Sequence, residues 1–283
     1  MIFIAKNEIH ELTEEKRQAL MHEFGLDKSP PMQYITWMSG IFRGDLGKSI
    51  FYRENVRTLI AQSLPITLHL ALLSITTASI LGILMGMISA IRRGSLLDTL
   101  LTSAANIGIS IPIFWLGVLM IYLFGLYLGW LPVQGYTSPF KDFWLGTKQL
   151  VMPVICMSIV SLASKARLTR SSVLEVIRQD YIRTAWSKGL RERYIVSKHV
   201  LRNSLIPVVT MIGVQFSWIV GGSVLVETVF NIPGMGRLII SSVLAQDYAV
   251  VQGCILLFAL FVVIINLFVD ICYAWIDPRI RYS

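Results

Sequence analysis

Few side chains in this sequence of 283 residues could carry out covalent or proton-transfer chemistry, and those few are scattered. Glu227 ends an apolar run and Asp270 lies inside one, and ionisable groups at membrane depth are candidates for functional sites. For Glu227 an interface or loop-anchoring role is favoured over ion relay, and for Asp270 a hydrogen bond to a neighbouring helix or a position at the aqueous edge is favoured. The sequence contains no GxxxxGKS/T, HExxH or GxSxG motif and no metal-ligand cluster. It therefore predicts neither an ATP-binding P-loop nor an enzyme.

The cationic side chains are concentrated in one segment, residues 165–204, which we call the basic loop. It holds ten Lys and Arg against three acids, and so carries +7 of the chain's net +8. Such a cluster can simply fix membrane topology, or it can contact a partner. Leu174, Ile177, Tyr181 and Ala185 recur at three- and four-residue spacing, which predicts one face of a helix.

The basic loop is predicted to contain two helices separated by a glycine turn. The first helix should end near Gly189, which can take the left-handed conformation at a helix C-terminus. A second helix is predicted from about Arg191 to Asn203, and Pro207 then begins the next apolar run. Short apolar faces with a basic rim fit a groove on a partner protein, whereas a helix lying on the membrane surface is the alternative.

Membrane spans must position these elements, because the composition is that of a membrane protein. Hydrophobic residues make up 54% of the chain and charged residues only 15%. The predicted fold class is an all-α polytopic membrane protein with five spans, at about residues 66–91, 107–128, 150–164, 205–226 and 250–275. The third run is short and could continue as a helix into the basic loop. Residues 1–65 are predicted to form an extracytoplasmic segment and residues 66–283 a transmembrane domain.

The charges of the connections orient the spans. The basic loop, residues 92–106 and the C-terminal tail carry a cationic excess, whereas residues 129–149 and 227–249 together hold three Lys and Arg against three acids. The basic loop and the C-terminus are therefore predicted to face the cytoplasm, with the N-terminus outside. Residues 14–24 are predicted to form a short helix. An outward segment without its own membrane leader suggests that an earlier span is absent from this sequence.

Several residues are candidates for a pathway or gate. A kink at Ser110–Pro112 would open backbone groups that a side chain or a neighbouring helix must satisfy. Residues 233–236 (PGMG) and the polar run after them predict an outward loop with a short helix. Gly82 and Gly86 form a GxxxG pair that should allow close helix packing. The pathway and gate candidates are Ser110, Pro112, Glu227, Pro233, Gly234 and Gly236.

The stretch DYIRTAWSKGLRERYIVSKHVLRNSLIPVV, residues 180–209, resembles the EAA loop of ABC-importer permeases, in the form seen in the peptide/nickel (oligopeptide, dipeptide) permease family. That family typically reads DY-x-RTA-x-x-KGL, then HxLRN, then a proline. Further matches are GDLGKS, SIPIFWLG, LGWLP, ARLTRSS, ETVFNIPGMGRL, QDYAVVQG and DPRIR. The similarity runs from about residue 12 to the C-terminus, in order and at the spacing of the family.

The resemblance implies the fold of a type I ABC-importer permease and a set of partners. In such importers the EAA loop forms a coupling helix that sits in a cleft of the cytoplasmic ATPase subunit. The chain would pair with a second, similar permease subunit and with two ATPase subunits, and a solute-binding protein would deliver cargo from outside. The lipid bilayer would surround it, and no nucleic acid is expected. No cofactor is expected on this chain, because ATP and magnesium belong to the ATPase subunits.

Carried over to this chain, the contact with the ATPase is residues 180–203. The candidate coupling residues are Asp180, Tyr181, Arg183, Thr184, Ala185, Lys188, Gly189, Leu190, Arg191, Arg193, Tyr194, His199, Arg202 and Asn203. The implied cargo is a peptide, or nickel or a related small solute. The implied location is the cytoplasmic (inner) membrane.

The sequence departs from the family pattern at two places. The family's usual first span is missing, through truncation, a misplaced start or a real variant. Arg191 stands where many members have Ser or Thr as helix N-cap, at a loss of about 1 kcal/mol.

Two other classes of membrane protein fit the sequence less well. An ATP-independent channel or ion-coupled carrier would need paired ionisable residues deep within the spans, and the first two predicted spans have none. An intramembrane enzyme would need His, Asp, Cys or Ser clustered at membrane depth. The charges gather in the basic loop instead, which favours an importer permease over both.

Overall fold

The computed structural model describes residues 29–276, and this part of the chain is helical apart from its connections and one isolated antiparallel bridge between Lys48 and Asn55. The predicted helix at residues 14–24 and the DPRIR tail lie outside the described residues. The helices are α1 (Pro30–Phe42), α2 (Val56–Ile91), α3 (Leu96–Ser110), α4 (Ile113–Met120), α5 (Phe143–Ile177), α6 (Asp180–Ser187), α7 (Glu192–Tyr194), α8 (Leu201–Ser204), α9 (Ile206–Val229), α10 (Met235–Leu244) and α11 (Tyr248–Ile276). Two π-helical stretches, Ile121–Tyr127 and Ile195–Val200, continue α4 and join α7 to α8.

The membrane-spanning character of the fold is confirmed. Within the described residues three helices are long and apolar enough to cross a bilayer, namely α2, α5 and the Tyr248–Val269 part of α11. The pair Leu96–Ser110 and Ile113–Tyr127 adds a fourth candidate, bent by 103° at its break. The remaining predicted span, residues 205–226, coincides with the 24-residue α9, several of whose side chains lie outside the description.

Helix bounds differ from the apolar runs in an informative way. Helix α2 starts ten residues before the predicted span, at Val56, and keeps Pro65 inside it. Helix α5 runs from Phe143 to Ile177. Asp142 caps its start by accepting a hydrogen bond from the Leu145 backbone N–H at 3.0 Å. The basic loop therefore begins as the last three turns of a long helix, and its first cations stand on that helix.

The predicted kink at residues 110–112 is a complete break. Helix α3 ends at Ser110, and α4 starts after Pro112, whose ring fixes an extended backbone before the new helix. The first six residues of the predicted span 107–128 consequently belong to α3 and to the break, and the span direction changes there by 103°.

The chain divides into two compact units, each with its own buried contacts. Among the described residues, the first unit comprises residues 29–62 and Ile239–Leu256. In it, Asp247 accepts hydrogen bonds from the Ser49 hydroxyl at 2.5 Å and from the Phe51 backbone N–H at 3.1 Å. These bonds anchor the loop between α1 and α2 to the turn between α10 and α11.

The second unit comprises Ser63–Leu238 and the chain from Leu257 onward. Its apolar core is built from α2, α5 and the end of α9, and includes Leu70, Met152, Cys156, Val226 and Phe230. Helices α2 and α5 approach closely at the GxxxG pair, because a Cβ at Gly82 would lie 2.8 Å from the Leu162 carbonyl oxygen. The close packing predicted for that pair is confirmed.

Candidate functional site

Residues 180–203, which we call the docking segment, form two helical parts joined by a left-handed glycine. Helix α6 ends at Ser187, Gly189 has a φ of +71°, and helix resumes at Glu192. A Cβ at Gly189 would meet no atom within 4 Å, so the backbone conformation alone favours glycine there. The predicted helix–glycine–helix arrangement is confirmed.

The single helix face predicted across residues 174–185 is wrong in one respect. Helix α5 ends at Ile177, and Gln179 is extended before α6 begins, so two helices share the pattern. Leu174, Ile177 and Ala185 nevertheless pack in one apolar cluster, whereas Tyr181 stays 44% exposed. The apolar spacing identified the buried side correctly but missed the break, because two short helices can present the same spacing as one.

The inner face of the docking segment is apolar and anchored to the spans. Four of its side chains are buried and pack against the end of α2 and against α5; the cluster consists of Ile182, Ala185, Ile195 and Val200 with Ala90 and Val173. This burial fixes the position of the segment relative to α2 and α5.

The outer face carries aromatic and cationic side chains. Tyr181, Leu190 and Tyr194 are each between 39% and 44% exposed, whereas Trp186, which is 48% exposed, lines a cleft toward α2 and α5. Thr184, Lys188, Arg191 and Arg202 are also exposed, and the side chain of Arg193 lies outside the description. Arg183 approaches Asp180 at 3.6 Å, but both side chains are solvated, so that ion pair contributes little stability. An exposed mixture of rings and cations is typical of a protein-contact surface.

Hydrogen bonds and a ring contact connect residues within the docking segment. The Asn203 side-chain amide donates to the Tyr181 hydroxyl at 2.8 Å, which ties the end of the segment to its beginning. Lys198 donates to the Tyr194 hydroxyl, and the His199 ring stands edge-on to Tyr194 at 5.8 Å between centroids. Among the candidate coupling residues, Tyr181, Tyr194, His199 and Asn203 thus have structural contacts within the segment.

Arg191 occupies the N-cap position of α7 and makes no side-chain capping bond. This agrees with the expectation that arginine cannot replace Ser or Thr there. The next residue, Glu192, places a carboxylate in the first turn, where the helix dipole favours negative charge.

A cleft of about 290 Å³ separates part of the docking segment from the ends of α2 and α5. Its lining includes Ile91, Ile177 and Val196, together with Arg93 and Arg178. Both arginines and Glu192, which also lines the cleft, are exposed, so the cleft has an apolar floor and charged side chains of both signs facing solvent.

An ion pair between Arg170 and Asp98 was not predicted from the sequence. Arg170 of α5 binds both oxygens of Asp98 of α3, each at 2.9 Å, and Ser89 of α2 donates to the same carboxylate. The Gly94 backbone N–H adds a bond at 3.0 Å. The available signal was that Asp98 is the sole acid of residues 92–106. This bidentate ion pair, together with the Ser89 bond, connects α2, α3 and α5.

Some of the gate candidates meet at a buried cluster around Glu227, which we call the Glu227 node. This carboxylate has no exposed surface and accepts bonds from the Thr67 hydroxyl at 2.8 Å and the Arg237 backbone N–H at 3.0 Å. The Thr67 oxygen in turn accepts from the Met235 backbone N–H at 2.8 Å. Glu227 therefore connects α2, the end of α9 and the first turn of α10, and its contacts are those of a loop anchor.

The glycines of the PGMG turn allow this close approach. A Cβ at Gly234 would lie 2.6 Å from the Glu227 carboxyl carbon, and one at Gly236 would lie 2.6 Å from the Val224 Cα. Pro233 is exposed beside them. Ser110 donates only within α3, to the Asn106 carbonyl at 3.0 Å, and no described contact brings Ser110 or Pro112 to the Glu227 node. The gate candidates therefore lie at two separate places, the Glu227 node and the break after α3. Thr67, which the sequence analysis did not identify, contributes the hydroxyl that binds Glu227.

The connection between the bent pair and α5 also contacts α2 and α9. The Gly135 N–H donates to the Phe230 carbonyl at 3.0 Å, and the Tyr136 hydroxyl lies 3.1 Å from Nδ1 of His69. Burial raises the pKa of the Tyr136 phenol.

The chain is similar in sequence to known membrane components of transport systems. Residues 82–282 match the family described as binding-protein-dependent transport system inner membrane component. A peptide transport system permease protein of Brucella abortus (strain 2308) is 44% identical over 262 residues, covering 92% of this chain and 83% of the relative. The di/tripeptide transport system permease protein DppB of Pseudomonas aeruginosa (strain UCBPP-PA14) is 39% identical, covering 93% and 84%.

Solved structures show the same fold at low sequence identity. The MetNI methionine ABC transporter in an inward-facing conformation matches with a TM-score of 0.63 and 20% identity, over 77% of this chain and 96% of the matched chain. An amino acid ABC transporter matches with a TM-score of 0.55 and 16% identity, over 76% and 92%.

Proposed function

This chain belongs to the family of binding-protein-dependent transport system inner membrane components, and from that premise we propose that it carries peptides inward across the cytoplasmic membrane as one permease subunit of an ABC importer. Two relatives that match more than nine-tenths of the chain are named for peptide or di/tripeptide transport, which supports a peptide cargo over nickel. ATP and magnesium would bind to partner subunits, since the sequence lacks a P-loop.

The docking segment is the proposed site of coupling to the ATPase. The observation that carries this proposal is its two-sided construction: an apolar inner face packed on α2 and α5, and an outer face that exposes Tyr181, Leu190 and Tyr194 among cations. Because the inner face is anchored, a partner that moves the outer face must move the spans as well.

The Asp98–Arg170 contact would transmit that movement. It joins the beginning of α3 and the end of α2 to α5 at the base of the docking segment. A displacement of the segment would therefore be shared by three helices instead of bending one.

The membrane orientation follows from the same proposal. The basic loop and the C-terminus would face the cytoplasm. The Glu227 node and α10 would then face outward, where the solute-binding protein delivers cargo. A second permease subunit and two ATPase subunits would complete the transporter.

The proposal is tested by placing acidic side chains on the outer face. The double variant Arg183→Glu and Leu190→Glu changes two exposed side chains and leaves the buried cluster intact. Detergent-extracted complexes should lose their ATPase subunits. The matched control, Phe140→Glu, alters a fully exposed side chain in the connection before α5 and should retain them.

Retention of the ATPases by the double variant would overturn the docking assignment. The ATP-independent alternative makes an opposite prediction for transport. Peptide uptake that continues in vesicles containing no ATP would establish a carrier or channel and refute the importer.

A further inference from the structure

Lys165 is the largest fully buried side chain among the described residues. Sequence analysis counted it as the first cation of the basic loop, yet it lies within α5 and none of its surface reaches solvent. The Lys165 Cβ packs against Gly82 of α2. Its ammonium donates to the Ser161 hydroxyl at 2.6 Å and to the side-chain oxygen of Gln215 on α9.

These contacts determine the orientation of the Gln215 amide. An ammonium has only donors, and the Ser161 hydroxyl donates to the same amide oxygen at 2.6 Å. The oxygen must therefore face Lys165, and the amide NH₂ group is turned away from it. Gln215 and Ser161 are only partly buried. The cluster thus presents an N–H donor with a positive charge directly behind it.

No described acid balances this charge. Removing an ammonium from water without a counter-charge is costly, and neutral hydroxyl and amide oxygens compensate only in part. Among the described side chains no carboxylate forms an ion pair with Lys165; Asp98 is paired with Arg170, and Glu227 is held by Thr67 and a backbone N–H.

The cluster lies at membrane depth. Gly82, which touches Lys165, is nine residues before the end of α2 at Ile91, and Gln215 is nine residues after the start of α9 at Ile206. At 1.5 Å per residue both helices place the ammonium about 13 Å from their ends next to the docking segment. A partly exposed amide at that depth faces lipid only at a large cost, so it faces protein or a water-filled path.

We propose that Lys165, Ser161 and Gln215 form an anion-recognition site on the translocation path, which binds the terminal carboxylate of a peptide in transit. The inference rests on the proposed function. The carboxylate accepts hydrogen bonds from the Gln215 NH₂ group, and the ammonium behind it supplies the opposite charge, which makes the bonds charge-assisted. Lys165 acts through Gln215 and is a positioning residue.

Gln215→Glu gives the sharpest test, because it places a carboxylate beside the ammonium within the chain and satisfies the charge without a peptide. Uptake is measured in proteoliposomes containing the complete transporter and its binding protein, with a tripeptide and with its C-terminal amide. The variant should reduce uptake of the free acid about tenfold or more and change uptake of the amide less than about twofold, as expected for loss of a bond to a charged group. Lys165→Gln should give the same split, and Lys165→Arg should keep the wild-type ratio.

The ratio of acid to amide uptake decides the outcome, because the unchanged binding protein contributes equally to every variant. A ratio unchanged by Gln215→Glu, or an equal fall for both peptides, would overturn the inference. If Lys165→Gln instead releases the second permease subunit and leaves the ratio unaltered, the counter-charge belongs to that subunit and the inference is also overturned. ATP-dependent uptake by the wild type tests the proposed function separately, so its absence would count against that function first.

Discussion

Gly189 is the single residue on whose backbone conformation the docking segment most depends. Its φ of +71° costs about 1–2 kcal/mol for a side chain with a branched Cβ, whereas asparagine tolerates this region better. Gly189→Val should therefore misplace the second half of the segment and lower ATPase co-purification, and Gly189→Asn should retain most of it. Equal behaviour of the two variants would show that the turn is not what positions the segment.

Thr67 has a comparable importance at the Glu227 node. Thr67→Val keeps the side-chain shape but leaves the Met235 N–H and one Glu227 oxygen without the hydroxyl, and each buried unsatisfied group costs about 1–3 kcal/mol. The thermal midpoint of the detergent-solubilised protein should fall clearly for Thr67→Val. Thr67→Ser, which restores the hydroxyl, should fall much less, and an equal fall would assign the effect to packing.

At the scale of helices, the α2–α5 contact depends on the absence of side chains at two positions. A Cβ at Gly86 would collide with the Ala166 carbonyl oxygen and with Thr169. Gly86→Val should push the helices apart and destabilise the protein by about 1–3 kcal/mol, as overpacking usually does. The control Leu84→Ala, at a 44% exposed position of the same helix, should change the thermal midpoint little. A tolerated Gly86→Val would mean that the two helices separate freely.

The Asp98–Arg170 contact is predicted to transmit motion without forming the docking surface. Arg170→Lys keeps the charge but cannot bind both carboxylate oxygens in the same plane. ATPase subunits should still co-purify, while peptide uptake per ATP hydrolysed should fall. Arg92→Lys, at an exposed position between α2 and α3, serves as the control and should leave that ratio unchanged. Loss of the ATPases in Arg170→Lys would place the residue in the docking surface instead.

Apolar periodicity predicted most helices and the glycine turn, because both leave local signals in the sequence. It failed where the decisive contact is distant. Lys165 was predicted to be a loop cation because its partner Gln215 is fifty residues away in the sequence. Thr67 was predicted to be part of an apolar run because its partner Glu227 is 160 residues away. The sequence did allow the third apolar run to continue as a helix into the basic loop, and α5 extends to Ile177, where tertiary packing stabilises a helix whose surface is polar.

For the molecule as a whole, the uneven distribution of charge predicts how the transporter responds to salt. On the proposed coupling, the docking segment would contact the ATPase through exposed cations as well as rings. The screening length falls from about 10 Å at 0.1 M to about 3 Å at 1 M salt. High salt should release part of the ATPase from detergent complexes, whereas pairing of the permease subunits through apolar spans should persist. Release that is independent of salt would exclude a cationic contribution to docking.

The π-helical stretch Ile195–Val200 has a consequence for the ancestry of the fold. Its hydrogen bonds close five residues apart instead of four, so the stretch accommodates one residue more than a regular α-helix over the same length. A homologue lacking one residue here would lose the bulge and keep its flanking helices in register. Alignments of this region should therefore tolerate a single-residue gap between Ile195 and Val200 more readily than a substitution at the neighbouring glycine.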